Sequence, residues 1–294
     1  MVNLSKLFIF LLLGMLLSQL SAVNILAKIA PDNEISIPNT NSIYSDALKE
    51  KYSNIFFNIQ KIYSEEVANY DASLVFKFDW ENPKVNAFAN RSWNDWNITV
   101  YGGLVRHPLM TESAFALVTC HELGHHIGGA PKKELLYASS ESQADYWANQ
   151  SCLRKYFKTY FSAEQILEMT NRIHLPATLR KCENVYSNEI EKSLCVILVN
   201  AGLEISNFLN SLRKVPKEIS LKTPDLKRVV RTNVDYAPIQ CRLDTFTEAA
   251  LCPMTIENNI DQRDEVSSGC MEQNGWFNGY RPSCWYKPFS VIPH

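Results

Sequence analysis

The segment His121-Glu122-Leu123-Gly124-His125 constrains this chain more than any other. It lies in a stretch where Ala114, Leu117, Val118, His121 and His125 recur at spacings of three and four, the period of an amphipathic helix. Thr111 or Ser113 can cap the start, and Gly128, Gly129 and Pro131 end it, which predicts a helix from Thr111 to Ile127. Residues four apart on a helix stand about 5–6 Å apart at Cβ. Both imidazoles can therefore reach one Zn²⁺ with bonds of roughly 2.0–2.1 Å. Glu122 lies about 100° around the helix from His121, so it flanks the metal without having to bind it. That is the position of a general base acting on metal-activated water.

A third ligand is needed, and the sequence narrows the choice. A metzincin would continue with Gly at 128, which is present, and His at 131, where this chain has Pro131. What remains is a carboxylate or a distant histidine. Ser139-Ser-Glu-Ser-Gln-Ala-Asp145 is the strongest segment, because Ser140 and Gln143 have the form of a capping box. That box places Glu141 in the first turn of a second helix and Asp145 one turn further on the same face. Glu134 is the next alternative. His107, His126 and His174 read as ordinary histidines, and Cys120 as a disulfide or core residue. The Trp93, Trp96 and Trp147 set reads as packing.

The N-terminus points to export. Lys6 precedes an apolar run from Leu7 to Leu17, and Ser18 to Ala22 supplies small residues for cleavage, the pattern of a signal peptide over residues 1–22. An apolar run of 11 residues falls short of the roughly 20 that span a bilayer. All eight cysteines follow it, an even count that fits several disulfides in a periplasmic or secreted protein. Spacing points to local pairs: Cys182 with Cys195, Cys241 with Cys252 and Cys270 with Cys284, leaving Cys120 and Cys152. With 29 Lys+Arg against 31 Asp+Glu and no long run of either sign, nothing marks a nucleic-acid or anionic-membrane partner. The sequons at Asn90, Asn97 and Asn149 matter only in a eukaryotic secretory pathway.

The remaining pattern reads as α+β. Apolar positions at helical spacing predict a long helix from about Ser42 to Tyr70. Ser73–Phe78, Lys84–Ala89 and Asn97–Tyr101 are β-rich runs broken by Asn, Pro and Gly, hence a small sheet. Helical patterns return over Ser140–Tyr160 and Ser162–Ile173, and beyond Pro216 the chain reads as irregular and disulfide-stapled. The organisation expected is a catalytic domain over residues 23–255 and a Cys-containing extension over 256–294.

Asn86-Ala-Phe-Ala89, Gly102-Gly-Leu104, the HELGH segment and Glu141-Ser-Gln-Ala-Asp145, taken in order, resemble the HtpX and CaaX-prenyl-protease type of gluzincin metallopeptidase, in its soluble exported branch. The resemblance runs from about Val85 to Cys152. It implies a zincin-like fold, a small β-sheet packed on the HExxH helix, and a zinc site of His121, His125 and Glu141 with Glu122 as base. It also implies that Asn97–Gly103 is an edge strand that pairs with an unfolded or extended polypeptide substrate. Asp145 then faces the same site and can accept the N–H from the far side of a ligating imidazole. Gln240-Cys-Arg-Leu-Asp-Thr245 and Arg281-Pro-Ser-Cys-Trp285 resemble segments of bacterial exported members, in which a His-Pro dipeptide often precedes the first. Here that dipeptide is Ala237-Pro238, so another transition-state donor is required, Arg242 or Tyr236. The function expected is a zinc-dependent endopeptidase. The alternative is a non-catalytic, zinc-containing envelope folding or assembly factor with a silent peptidase site.

Overall fold

The computed structural model describes residues 27–40, 42–133, 137–254 and 260–288. The expected signal peptide at 1–22 and the alternative ligand Glu134 lie outside the described residues.

The chain is α+β around a small mixed sheet. Strand β1 (Ala27–Lys28) is followed by helix α1 (Ile43–Ala68), then β2 (Ser73–Asp79), β3 (Ala87–Ser92) and β4 (Asp95–Tyr101). The sheet order is β1-β3-β4-β2, with β2 parallel to β4 and the other pairs antiparallel. Ser42 caps α1 by accepting from Ser45 N, and the apolar stripe Tyr52, Phe56, Ile59, Tyr63 and Val67 is buried. Two elements depart from the reading of the sequence. The run expected over Lys84–Ala89 becomes a strand only at Ala87, because Asn86 turns its side chain to Ala30 O and Ala87 N. The strand expected to lie at the edge, Asn97–Gly103, does not: β4 is flanked by β2 and β3 along its length, and β3 faces outward with only β1 beside it. Gly102 and Gly103 leave the sheet as the short helix α2 (Gly102–Val105). A Cβ at either would stand 1.9 Å from the carbonyl oxygens of Trp80 and Pro83.

Helix α3 (Glu112–Ile127) starts at the expected cap, Thr111, whose side chain accepts from Ala114 N. It is the central element of the core, packed on α1, β3 and the helices that follow. Helix α4 (Glu141–Trp147) continues through a π-helical segment (Ala148–Leu153) into α5 (Arg154–Tyr160), so the expected helix Ser140–Tyr160 forms with one loosened turn. Gly124 sets how closely α3 and α4 approach: a Cβ there would lie 3.1 Å from Ala144 Cα. Asn149 is fully buried and donates to Leu198 O and Phe246 O, so this sequon is closed to glycosylation in the folded chain. Helix α6 (Ala163–Asn171) has a full capping box from Ser162 and Gln165, and α7 (Pro176–Val185) and α8 (Glu189–Ser211) follow. By length and composition α8 could cross a membrane, but 72% of its apolar window is buried inside the protein.

Among the described residues after Pro216 the chain is irregular except for α9 (Ile239–Ala250), which packs on α8 and α4, and a single 3₁₀ turn at Glu272–Asn274. That helix corrects the expected disulfides. Cys120 pairs with Cys152 and Cys182 with Cys195, but Cys241 pairs with Cys284 and Cys252 with Cys270. Cys241 sits in the first turn of α9 and Cys252 just beyond its last. A helix of that length holds them roughly 16 Å apart, and a disulfide needs Cα atoms within about 4.4–6.8 Å. The two bridges instead staple the Cys-containing extension onto α9. Four disulfides fit folding in an oxidising, exported environment.

Candidate metal centre

Helices α3 and α4 bring His121, His125 and Glu141 together in the protein interior. His121 Nε2 lies 3.1 Å from His125 Nε2 and 3.4 Å from Glu141 Oε2, and His125 Nε2 lies 3.7 Å from the same oxygen. Ligands of a tetrahedral ion with bonds of roughly 2.0–2.1 Å stand roughly 3.3–3.4 Å apart. The triangle therefore fits one ion of that size, and two imidazoles with one carboxylate are a donor set that suits zinc. The Cys120–Cys152 bridge joins α3 to the π-helical segment across 32 residues and clamps the two ligand-bearing helices. Closing such a loop contributes roughly 3–4 kcal/mol in the chain-entropy model.

Each imidazole is oriented from behind. His125 Nδ1 lies 2.9 Å from Ser139 O, which fixes its proton on Nδ1 and leaves the Nε2 lone pair for a metal. His121 Nδ1 stands 2.7 Å from Asp145 Oδ1, a close ionic contact outside good hydrogen-bond angles. Asp145 is gripped in turn by Arg242, whose Nε and Nη2 donate to its two oxygens at 2.7 Å each. The third guanidinium nitrogen donates to Ile29 O at 2.9 Å. The fork of Arg242 is thus engaged, and so is the other donor weighed from the sequence, Tyr236. Its hydroxyl donates to Lys28 O at 2.8 Å, and burial, then the charge of Glu141, holds its pKa far above the ordinary value. The phenol keeps its proton and can donate it in a hydrogen bond.

Glu122 is fully buried, and neither carboxylate oxygen has a hydrogen-bond partner. Burial pushes its pKa up to about 8, against the pull of His121. An orphaned carboxyl of this kind costs stability, roughly 1–3 kcal/mol for a neutral group and more for a charge. No structural gain at this position offsets that cost. Glu141 is held instead near 2: burial would raise it, but His125, His121 and Lys133 outweigh burial. Lys133 Nζ touches Glu141 Oε1 at 2.5 Å.

Some of these contacts had no visible signal in the sequence. The Ser139 carbonyl is backbone, and Lys133 acts from a loop. Gln143, read as a capping residue, instead donates to Gly128 O and Ser268 O and accepts from Arg281 Nε, tying the C-terminal extension to both ligand helices. His126 turns away from the centre, with Trp96 and Tyr137 stacked against it, and Cys120 is spent in its disulfide. Trp147 is buried, whereas Trp93 is almost wholly exposed rather than packed.

The charge states set a pH dependence for metal uptake. Burial alone would depress the His121 pKa, but Asp145 outweighs it and raises the value to about 9, while burial lowers His125 to about 3. At pH 7–8 the metal-free centre therefore holds one ligand proton, on His121, which a metal must displace. Affinity is expected to rise about tenfold per pH unit between 7 and 8 and to level off above 9. Competition with a chromophoric chelator at pH 7 and pH 8 checks this, and equal affinities at the two would contradict it.

No family model, curated protein or solved structure matches this chain. The class that fold and site define is a disulfide-bonded α+β protein with a buried His-His-Glu cluster able to hold a metal ion beside an unpartnered acid.

Proposed function

We propose that this chain is a zinc-dependent endopeptidase of the HtpX and CaaX-prenyl-protease type, with a zincin-like fold, exported to the periplasm or secreted. Glu122 is the observation that carries this reading. A structural zinc site is closed by four protein ligands, whereas catalytic sites keep three and leave a position open. Here three ligand atoms converge, and the residue next to His121 on the helix carries a buried carboxyl without a hydrogen-bond partner.

Bound between His121, His125 and Glu141, zinc supplies Lewis-acid charge that polarises a carbonyl and acidifies water. Glu122 then has one task that suits its position: its carboxylate takes a proton from the attacking water and returns it to the leaving amine. A pKa raised by burial suits a group that must both accept and release a proton near neutral pH. Asp145 and Arg242 hold His121 in place, and the Tyr236 hydroxyl, once turned from Lys28 O, is a donor for the carbonyl oxygen of a bound peptide.

Incubating the oxidised chain with unfolded casein, with and without a chelator, tests the reading. Cleavage that stops on chelation and returns with Zn²⁺ is expected. Absent or chelator-insensitive cleavage across several unfolded substrates would favour the alternative, a zinc-containing envelope folding or assembly factor with a silent site.

A further inference from the structure

Strand β1 has only two residues, yet it takes the outer edge of β3 beside the metal centre. Ala27 pairs with Ala89 and Lys28 with Phe88, antiparallel, and Ile29 N donates to Ala87 O at 3.3 Å. Groups of the centre hold the same segment. Tyr236 donates to Lys28 O, Arg242 to Ile29 O while it grips Asp145, and Asn86 to Ala30 O. Ala27, Ile29 and Ala30 are all but fully buried. An extended backbone paired antiparallel to a sheet edge is also how many proteins hold a peptide ligand. Clefts open on both flanks of the segment. One, of about 310 Å³, is lined by Ala30, Tyr236 and Arg242, and the other, of about 400 Å³, by Lys28, Asn86 and Phe88.

We propose that residues 27–31 are a built-in occupant of the peptide path, lying where an extended substrate lies and competing with it for the metal centre. The proposal rests on the peptidase reading above. Among the described residues its ladder is two residues long, and Pro31, lacking an N–H, cannot extend it. It also indicates what the path accepts, an extended peptide with a branched aliphatic side chain where Ile29 sits.

The test places Ile29→Asp in the full chain, so that a carboxylate in the apolar core that buries Ile29 expels the segment. Binding of a fluorescein-labelled Ala-Lys-Ile-Ala-Pro peptide is read by anisotropy in a Glu122→Gln background, and zinc stripping is timed with a chromophoric chelator. The expected result is peptide binding by the Ile29→Asp chain at least about tenfold tighter than by the parent, with zinc stripped faster by a similar factor. Equal peptide binding and equal stripping in the two proteins would overturn the proposal. If Ile29→Asp fails to form its disulfides, Ala27→Pro, which removes one ladder N–H, repeats the comparison with the same expectations. Casein cleavage is scored separately, in the parent and Ile29→Asp chains that keep Glu122. Should peptide binding and stripping change while casein stays intact in both chains, the peptidase reading fails and the occupied path stands.

Discussion

Glu122→Gln is expected to keep a full complement of zinc and to lower hydrolysis by about 10²–10⁴-fold, the range that a positioned general base contributes. The amide has nearly the same shape as the acid and makes no demand on the ligand set, because Glu122 touches neither imidazole nor Glu141 through a hydrogen bond. It also relieves the burial of an ionisable group without partners, so the folded chain should be no less stable than the parent. Metal content near one per chain together with lost casein cleavage is the predicted pair of results. Near-normal turnover in this variant would mean that Glu122 moves no proton and that the proposed mechanism is wrong.

The second large effect is expected at Glu141. Glu141→Ala removes one corner of the ligand triangle and leaves the Lys133 ammonium without its carboxylate partner, so two adjacent cations, Lys133 and a metal, would share one hole. Little bound zinc is the expected outcome. Asp145→Asn should act differently. It leaves all three ligands in place but loosens His121 and halves the partner of a buried guanidinium, which predicts zinc binding weakened by roughly 10–100-fold. Removing one partner of a buried ion pair typically costs about 3–5 kcal/mol, so this variant should also melt well below the parent. Elemental analysis of the two proteins side by side separates the roles. Full zinc occupancy in Glu141→Ala would sink the assignment of the third ligand.

The parts of this site that could be read from the sequence are those fixed by local geometry. Helical spacing alone puts His121 and His125 on one face, and the Ser140 cap puts Glu141 and Asp145 on one face of the next helix. What brings the two faces together is tertiary: the close approach at Gly124 and the Cys120–Cys152 clamp. The edge strand was misplaced for a related reason. Asn97–Tyr101 and Ala87–Ser92 are both β-rich, and local pattern cannot tell which of two adjacent strands faces outward. The disulfide pairs failed where a helix intervened unseen, since Ile239–Ala250 reads as a Cys- and Thr-containing stretch of mixed polarity until α8 and α4 bury one face of it. Arg242 is visible in the sequence as a candidate donor, but its pairing with Asp145 is not. Its fork faces a buried carboxylate on a different helix, 97 residues away, and no spacing rule reports that.

The measurement closest to the central claim is the zinc K-edge absorption spectrum of the reconstituted chain. The geometry of the centre predicts a first shell of nitrogen and oxygen at roughly 2.0–2.1 Å, with the outer-shell signature of two imidazole rings and no sulfur. A sulfur shell near roughly 2.3 Å, or the same spectrum after His121 and His125 are both replaced by alanine, would place the metal elsewhere and contradict the account.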